Sequence, residues 1–182
     1  HALIAARQRI PREHLDDPGT RQVMKLPPEL AFRTKGQLAI DLIGEVFADG
    51  IRFDFACGDE VYGSCTQLRR FLEDRGQAYV LRVPSNFYLT VAPGVRLTCK
   101  QAAAALAGAR RGWEVRSAGR GGKGQRWYAR AWLATASPRH YLLIRRNLAS
   151  GEPAFHYFFV PDGQPVSLPR LVRAAGCRWP RS

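Results

Sequence analysis

Among the side chains that could do chemistry, Asp59 stands first, in the run Gly58-Asp59-Glu60-Val61-Tyr62-Gly63. The residues before it alternate, with Ile51, Phe53, Phe55 and Cys57 against Arg52, Asp54 and Ala56, which predicts a period-two strand. A carboxylate just past the C-terminal end of a buried strand lies where open α/β sheets place their ligands. There it can hold Mg²⁺, which takes a few hard oxygens plus water and phosphate. The same carboxylate can instead cap the first turn of a following helix. Spacing alone leaves both roles open. Glu60 is expected to point elsewhere, toward solvent or in support of its neighbour. Gly58 and Gly63 are expected to give the turn backbone freedom.

Other motifs carry less. Gly119-Arg120-Gly121-Gly122-Lys123-Gly124 has the glycines of a phosphate loop but lacks the Ser/Thr that must follow the lysine. A basic hairpin is the reading that remains. Residues 108–132 hold seven Lys+Arg and one acid, interleaved with Trp113, Trp127, Tyr128 and Trp132. Cations among aromatics suit phosphate contact and base stacking, although half of those rings are needed for a core. His140 and His156 have no nucleophile or acid at a recognisable spacing, so structural roles are expected for both. No serine sits in a G-x-S-x-G elbow, which leaves triad hydrolysis without support. Cys57, Cys65, Cys99 and Cys177 form no C-x-x-C pair, which argues against zinc or a disulfide framework and suits a reducing cytoplasm.

The elements that must position Asp59 follow from periodicity and caps. Ala2 to Ala5 reads as a short strand, and Arg12 to Pro28 as loop, from Asp16-Asp17-Pro18-Gly19 and Pro27-Pro28. Thr34 and Gln37 make a capping box before a helix with Ala39, Leu42, Ile43, Val46 and Phe47 on one face, ended at Gly50. Ser64 with Gln67, and Thr98 with Gln101, predict two more capping boxes. Ala78 to Val83 reads as a strand after Gly76. Strand-like runs follow at 113–117, 126–134, 141–146 and 154–160, and a last helix starts at Ser167. Alternating strands and helices followed by a β-rich stretch predict an α/β layered fold.

The 182 residues carry a net charge of +13, and its distribution is informative. Residues 1–114 hold 16 Lys+Arg against 13 acids, whereas residues 115–182 hold 12 against two, so +10 of the +13 lies in the last third. Clustered cations of this kind are the footprint of a polyanion-binding face. A solvated, arginine-rich surface is the plainer alternative. No window reaches the roughly 18 apolar residues that a membrane span needs. No charged-then-apolar leader precedes the first polar run, so no secretory signal is expected, and the lack of an initial Met suggests a natural start further upstream.

Several motifs run in order along the chain: His1-Ala2-Leu3-Ile4 with Ile10-Pro11, Phe32-x-Thr34-Lys35-x-Gln37-Leu38-Ala39, and Gly58-Asp59-Glu60-Val61-Tyr62-Gly63. Tyr79-Val80-Leu81-x-Val83-Pro84, Gly122-Lys123-Gly124-x-Arg126-Trp127-Tyr128 and Leu142-Leu143-Ile144-Arg145-Arg146-Asn147 continue the series. Taken together, they resemble bacterial insertion-sequence transposases of the DDE superfamily. The resemblance implies an incomplete ribonuclease-H-like core over 1–110, a β-rich basic insertion over 111–165 and the start of a C-terminal core helix over 166–182. It implies three carboxylates holding two Mg²⁺ ions, which activate a water or a 3′-hydroxyl for in-line attack on a phosphodiester. Asp59 matches the second of the three.

The same comparison implies DNA contacts by Lys123, Arg126, Trp127, Arg145, Arg146 and Arg178, with transposon ends and target DNA as partners. It further implies a homodimer in a synaptic complex, in the bacterial cytoplasm at the nucleoid. Two departures matter. The family's first aspartate belongs on a strand upstream of His1, and its third carboxylate follows the pattern Arg-Trp-x-x-Glu, whereas Arg178-Trp179 here leads to Ser182. The expectation is a chain inactive by itself. A non-catalytic DNA-binding remnant is the alternative reading, and an unrelated nuclease using Asp59 with Glu60 is a third.

Overall fold

A computed structural model of the chain describes residues 4–108, 112–121 and 124–176. They divide into two units, residues 1–53 and residues 54–182.

The first unit is helical. Helix α1 spans Arg12–Asp16, α2 spans Pro18–Val23 and α3 spans Lys35–Ala48. The loop expected over Arg12 to Pro28 is therefore corrected to two short helices joined at Asp17. Asp17 caps α2 by accepting from Thr20 N at 2.7 Å, and Pro18 takes the first helical position, where its missing N–H costs nothing. Asp-Pro-Gly here opens a helix instead of a turn. Arg21 then ties the following loop down, donating to the carbonyls of Leu15, Pro27 and Pro28 at 2.7–2.9 Å. Helix α3 begins as expected. Gln37 N donates to Thr34 Oγ1 at 3.2 Å, and Thr34 N donates to Gln37 Oε1 at 2.9 Å. Gly50, at φ +75°, follows its end. The strand expected at Ala2 to Ala5 is corrected too, since Ile4 and Ala5 are in neither helix nor strand, while residues 2–3 lie outside the described residues.

The second unit is built on a sheet. Strand β1 spans Ala56–Gly58, followed by helices α4, Glu60–Gly63, and α5, Thr66–Glu73. Strand β2 spans Tyr79–Val83, β3 spans Tyr88–Ala92, β4 spans Val95–Thr98, and helix α6 spans Cys99–Gly108. Strands β5, Glu114–Gly121, β6, Gly124–Ala134, β7, His140–Asn147, and β8, Pro153–Phe159, precede helix α7, Leu168–Gly176. Six strands form one sheet in the order β1-β2-β8-β7-β6-β5, with only β1 and β2 parallel. β3 and β4 pair separately as a hairpin. The fold is a mixed α/β one with a mostly antiparallel sheet, compatible with a ribonuclease-H-like domain.

Both faces of the sheet are covered, which explains its continuous apolar runs. On one face Val83, Leu142, Ile144 and Phe155 pack with Leu89 of β3 and with Cys99, Ala102 and Ala103 of α6. On the other, Val80, Leu143 and Phe158 pack with Leu168, Leu171 and Ala174 of α7. The expected strand from Ile51 to Cys57 is corrected to three residues. Only Ala56, Cys57 and Gly58 find partners, in Tyr79, Val80 and Leu81. Phe53 instead stacks on Phe47, with ring centroids 5.5 Å apart.

At the start of β2 and β7 a polar cluster braces the sheet. Glu73 Oε1 accepts from Tyr79 Oη at 2.7 Å and lies 3.1 Å from His140 Nε2. The other ring nitrogen of His140 lies 2.6 Å from Pro138 O, and the ring stacks on Tyr157. This gives His140 the structural role expected of it. The His140 contact, followed by the Tyr79 hydrogen bond, holds the Glu73 carboxyl below its ordinary value against the opposing effect of burial. A group depressed in the folded state stabilises fully above its unfolded value of roughly 4.3 and loses that contribution as pH falls through its folded value. Glu73→Gln should therefore lower stability by about 1.5–3 kcal/mol at pH 7. Urea titrations should show the gap to wild type closing below about pH 4.

Candidate active site and nucleic-acid surface

Asp59 follows the C-terminal end of β1 and opens α4, in extended backbone with φ −87° and ψ −169°. Its Oδ1 accepts from Val61 N at 3.1 Å, so the capping role is real. A carboxylate has about four acceptor positions, so capping and metal ligation do not exclude each other. Asp59 is half-buried. Glu60 turns to Arg82 on β2, with Oε1 2.9 Å from Arg82 Nε. This pairing directs Glu60 away from the joint role with Asp59 that an unrelated nuclease would need.

The two glycines of the motif have a different purpose from the one expected. Neither Gly58 nor Gly63 has positive φ. They permit close approach. A Cβ on Gly63 would stand 1.9 Å from Arg82 O, and one on Gly58 would meet Leu81 Cδ2 and Tyr62 Cβ at 2.9 Å. Helix α4 therefore lies with its backbone against β2, and this fixes the direction in which Asp59 leaves β1. The Arg69 guanidinium locks the far end by donating to Gly63 O and, at 3.1 Å, to Thr66 Oγ1. The capping box expected at Ser64 and Gln67 is corrected accordingly. α4 takes Ser64 as its C-terminal cap, and α5 starts after Cys65 without a side-chain cap.

Among the described residues, no three His, Cys, Asp or Glu side chains come together in a group that could hold a metal ion. Asp59 could supply one ligand. The described residues do not make up the two-ion site that the resemblance implies.

Of the expected DNA-binding residues, Arg126 and Trp127 lie on β6 and Arg145 and Arg146 on β7. Trp127 on β6 is 48% exposed. Arg145 and Arg146 are neighbours on β7 and so face opposite sides of the sheet. Arg145 lies 4.7 Å over the Tyr128 ring, and Arg146 lies 4.7 Å over the Trp113 ring. In register, Arg146 is opposite Ala129, which shares its face with Trp127, whereas Arg145 is opposite Arg130, itself opposite Glu114. Arg146 and Trp127 thus share a face, and Arg145 does not join them. Arg126 lies in β6; Lys123 and Arg178 fall outside the described residues. Within the Gly119–Gly124 run, Gly121 of β5 pairs with Gly124 of β6, and residues 122–123 lie outside the described residues.

One feature escapes the sequence reading. A groove of about 500 Å³ opens beside β1, lined by Asp54, Phe55 and Cys57 and by Arg170, Arg173 and Ala174 of α7. Cys57 Sγ is 3.8 Å from Ala174 O, which seats the C-terminal half of α7 two residues before Asp59. The available signal was the pair of arginines three apart on the polar side of α7.

No curated protein sequence matches the chain. Residues 1–138 match the family described as DDE superfamily endonuclease. That match covers well over half of the 182 residues and includes the β1–α4 segment that carries Asp59. The chain belongs to the DDE superfamily of endonucleases.

Proposed function

We propose that these residues form the central part of the catalytic domain of a bacterial insertion-sequence transposase, with Asp59 as one of three metal-binding carboxylates. Family membership supports a nuclease or transposase type of function acting on DNA. The observation that carries the finer reading is the placement of Asp59 between the end of β1 and the first turn of α4. A carboxylate there is held by its bond from Val61 N and follows the C-terminal end of a parallel-paired strand, the end at which α/β folds bind ligands.

In this reading residues 1–110 belong to the ribonuclease-H-like core and residues 111–165 form a β-rich insertion that engages transposon ends. Residues 166–182 begin the core helix that would bear the third carboxylate. Lys123, Arg126, Trp127, Arg145, Arg146 and Arg178 contact DNA, and a homodimer pairs two DNA ends at the nucleoid. Mg²⁺ is the proposed ion, in keeping with hard oxygen ligands and substrate phosphates. With one of three carboxylates assigned here, the 182 residues alone should not cut DNA. A second reading, a DNA-binding module without catalysis, draws on the +10 charge of residues 115–182.

Both are tested with the chain itself and supercoiled plasmid in Mg²⁺. The expected result is salt-dependent DNA binding without nicking above background. Metal-dependent nicking would contradict the need for further carboxylates. Absence of DNA binding at low salt would contradict both readings.

A further inference from the structure

The groove beside β1 has the chemistry of a phosphate site. Arg170 and Arg173 stand three apart on α7 and therefore on one side of it, while Leu168, Leu171 and Ala174 face the sheet. Arg170 is held in place. It donates to Pro165 O at 3.3 Å and to Gln164 Oε1 at 2.7 Å, and its guanidinium lies 5.3 Å over the Phe55 ring. A guanidinium has five N–H donors in a planar fork, so these bonds orient it and leave donors for an anion. Arg173 is exposed one turn further on. Asp54 is the carboxylate among the groove's lining residues. The lining includes Cys57 of β1, and Asp59 comes two residues later, roughly 7 Å on at strand spacing.

We propose that Arg170 and Arg173 are positioning residues that grip the backbone phosphates of a DNA strand lying along β1 and lead it to Asp59. The proposal rests on the DNA-acting reading above. Its plain competitor is structural, because an arginine in the last turn of a helix also offsets the helix dipole. That role would change stability and leave DNA binding alone.

The test is fluorescence anisotropy of the full chain with labelled single-stranded and duplex oligonucleotides over a range of salt. Arg170→Gln and Arg173→Gln should each weaken binding several-fold and lower the slope of log K against log salt by about one. Arg173→Lys should recover most of that slope, and thermal melts should show the variants folded. Unchanged salt slopes in folded variants would overturn the groove assignment and leave the DNA reading standing. A wild-type chain that binds no DNA would overturn both.

Discussion

Gly63→Ala should cost at least about 3 kcal/mol, beyond the usual range for overpacking, and lower the melting temperature by about 6–12 °C. The new Cβ would stand 1.9 Å from Arg82 O and 2.9 Å from Arg82 C, and both atoms are backbone of a paired strand. A flexible side chain could move aside, but β2 is hydrogen-bonded on both edges, by β1 and by β8. Helix α4 must therefore lift away, taking with it the cap that orients Asp59. Gly50→Ala is the control. Gly50 has φ +75° and nothing within 4 Å of its Cβ position, so only the left-handed strain of about 1–2 kcal/mol applies. Equal losses for the two variants in urea titrations would mean that α4 does not press on β2.

The second large effect is expected at Phe158. Its side chain is fully buried among Val80, Leu143, Leu171 and the edge of Phe55, whose ring centroid lies 6.5 Å away. Phe158→Ala should lose about 3–5 kcal/mol, the transfer and cavity cost of an aromatic core residue. The cavity would open beneath α7, so the same variant should loosen the wall of the groove beside β1. A loss below about 1.5 kcal/mol, with an unchanged denaturant slope, would show that α7 does not seat on this face.

What could be read from the sequence was mostly local. The capping boxes at Thr34–Gln37 and Thr98–Gln101 depend on residues three apart, and both form, the second at 2.8 and 3.1 Å. Gly50, at positive φ, follows the end of α3 as expected, and Gly76, also at positive φ, follows α5. The runs near 141–146 and 154–160 are strands because both their faces are covered. Errors arose where a partner decided the outcome. Ile51 to Phe55 alternates like a strand, yet in this region only Ala56–Gly58 pairs with β2. Ser64-x-x-Gln67 has the letters of a capping box, but α4 claims Ser64 first. The β3–β4 hairpin was missed although Pro93-Gly94 signals its turn, because its strands are short and half exposed. Nothing local foretells that Tyr79–Val83 pairs with Phe155–Phe159, a contact between segments more than seventy residues apart.

The candidate site was legible in a similar measure. The location of Asp59 followed from strand, glycine and helix signals in sequence. The purpose of Gly58 and Gly63 did not, since close approach to β2 is a tertiary fact. Nor did the groove, because its two walls come from residues 54–57 and 170–174.

The most direct test of the central claim uses the ¹⁵N-labelled chain bound to DNA and titrated with Mn²⁺ in place of Mg²⁺. Asp59→Asn is the deciding variant, because asparagine caps a helix about as well as aspartate and so removes the charge while keeping the fold. Asp59→Ala, which loses the cap as well, should cost a further ~1 kcal/mol of stability. If Asp59 is a metal-binding carboxylate, Mn²⁺ should broaden the amide signals of Gly58 to Val61 in the wild-type complex. Asp59→Asn should abolish that broadening, and Glu60→Gln should retain it. Equal broadening in wild type and Asp59→Asn, or none near Asp59, would reduce the residue to a helix cap.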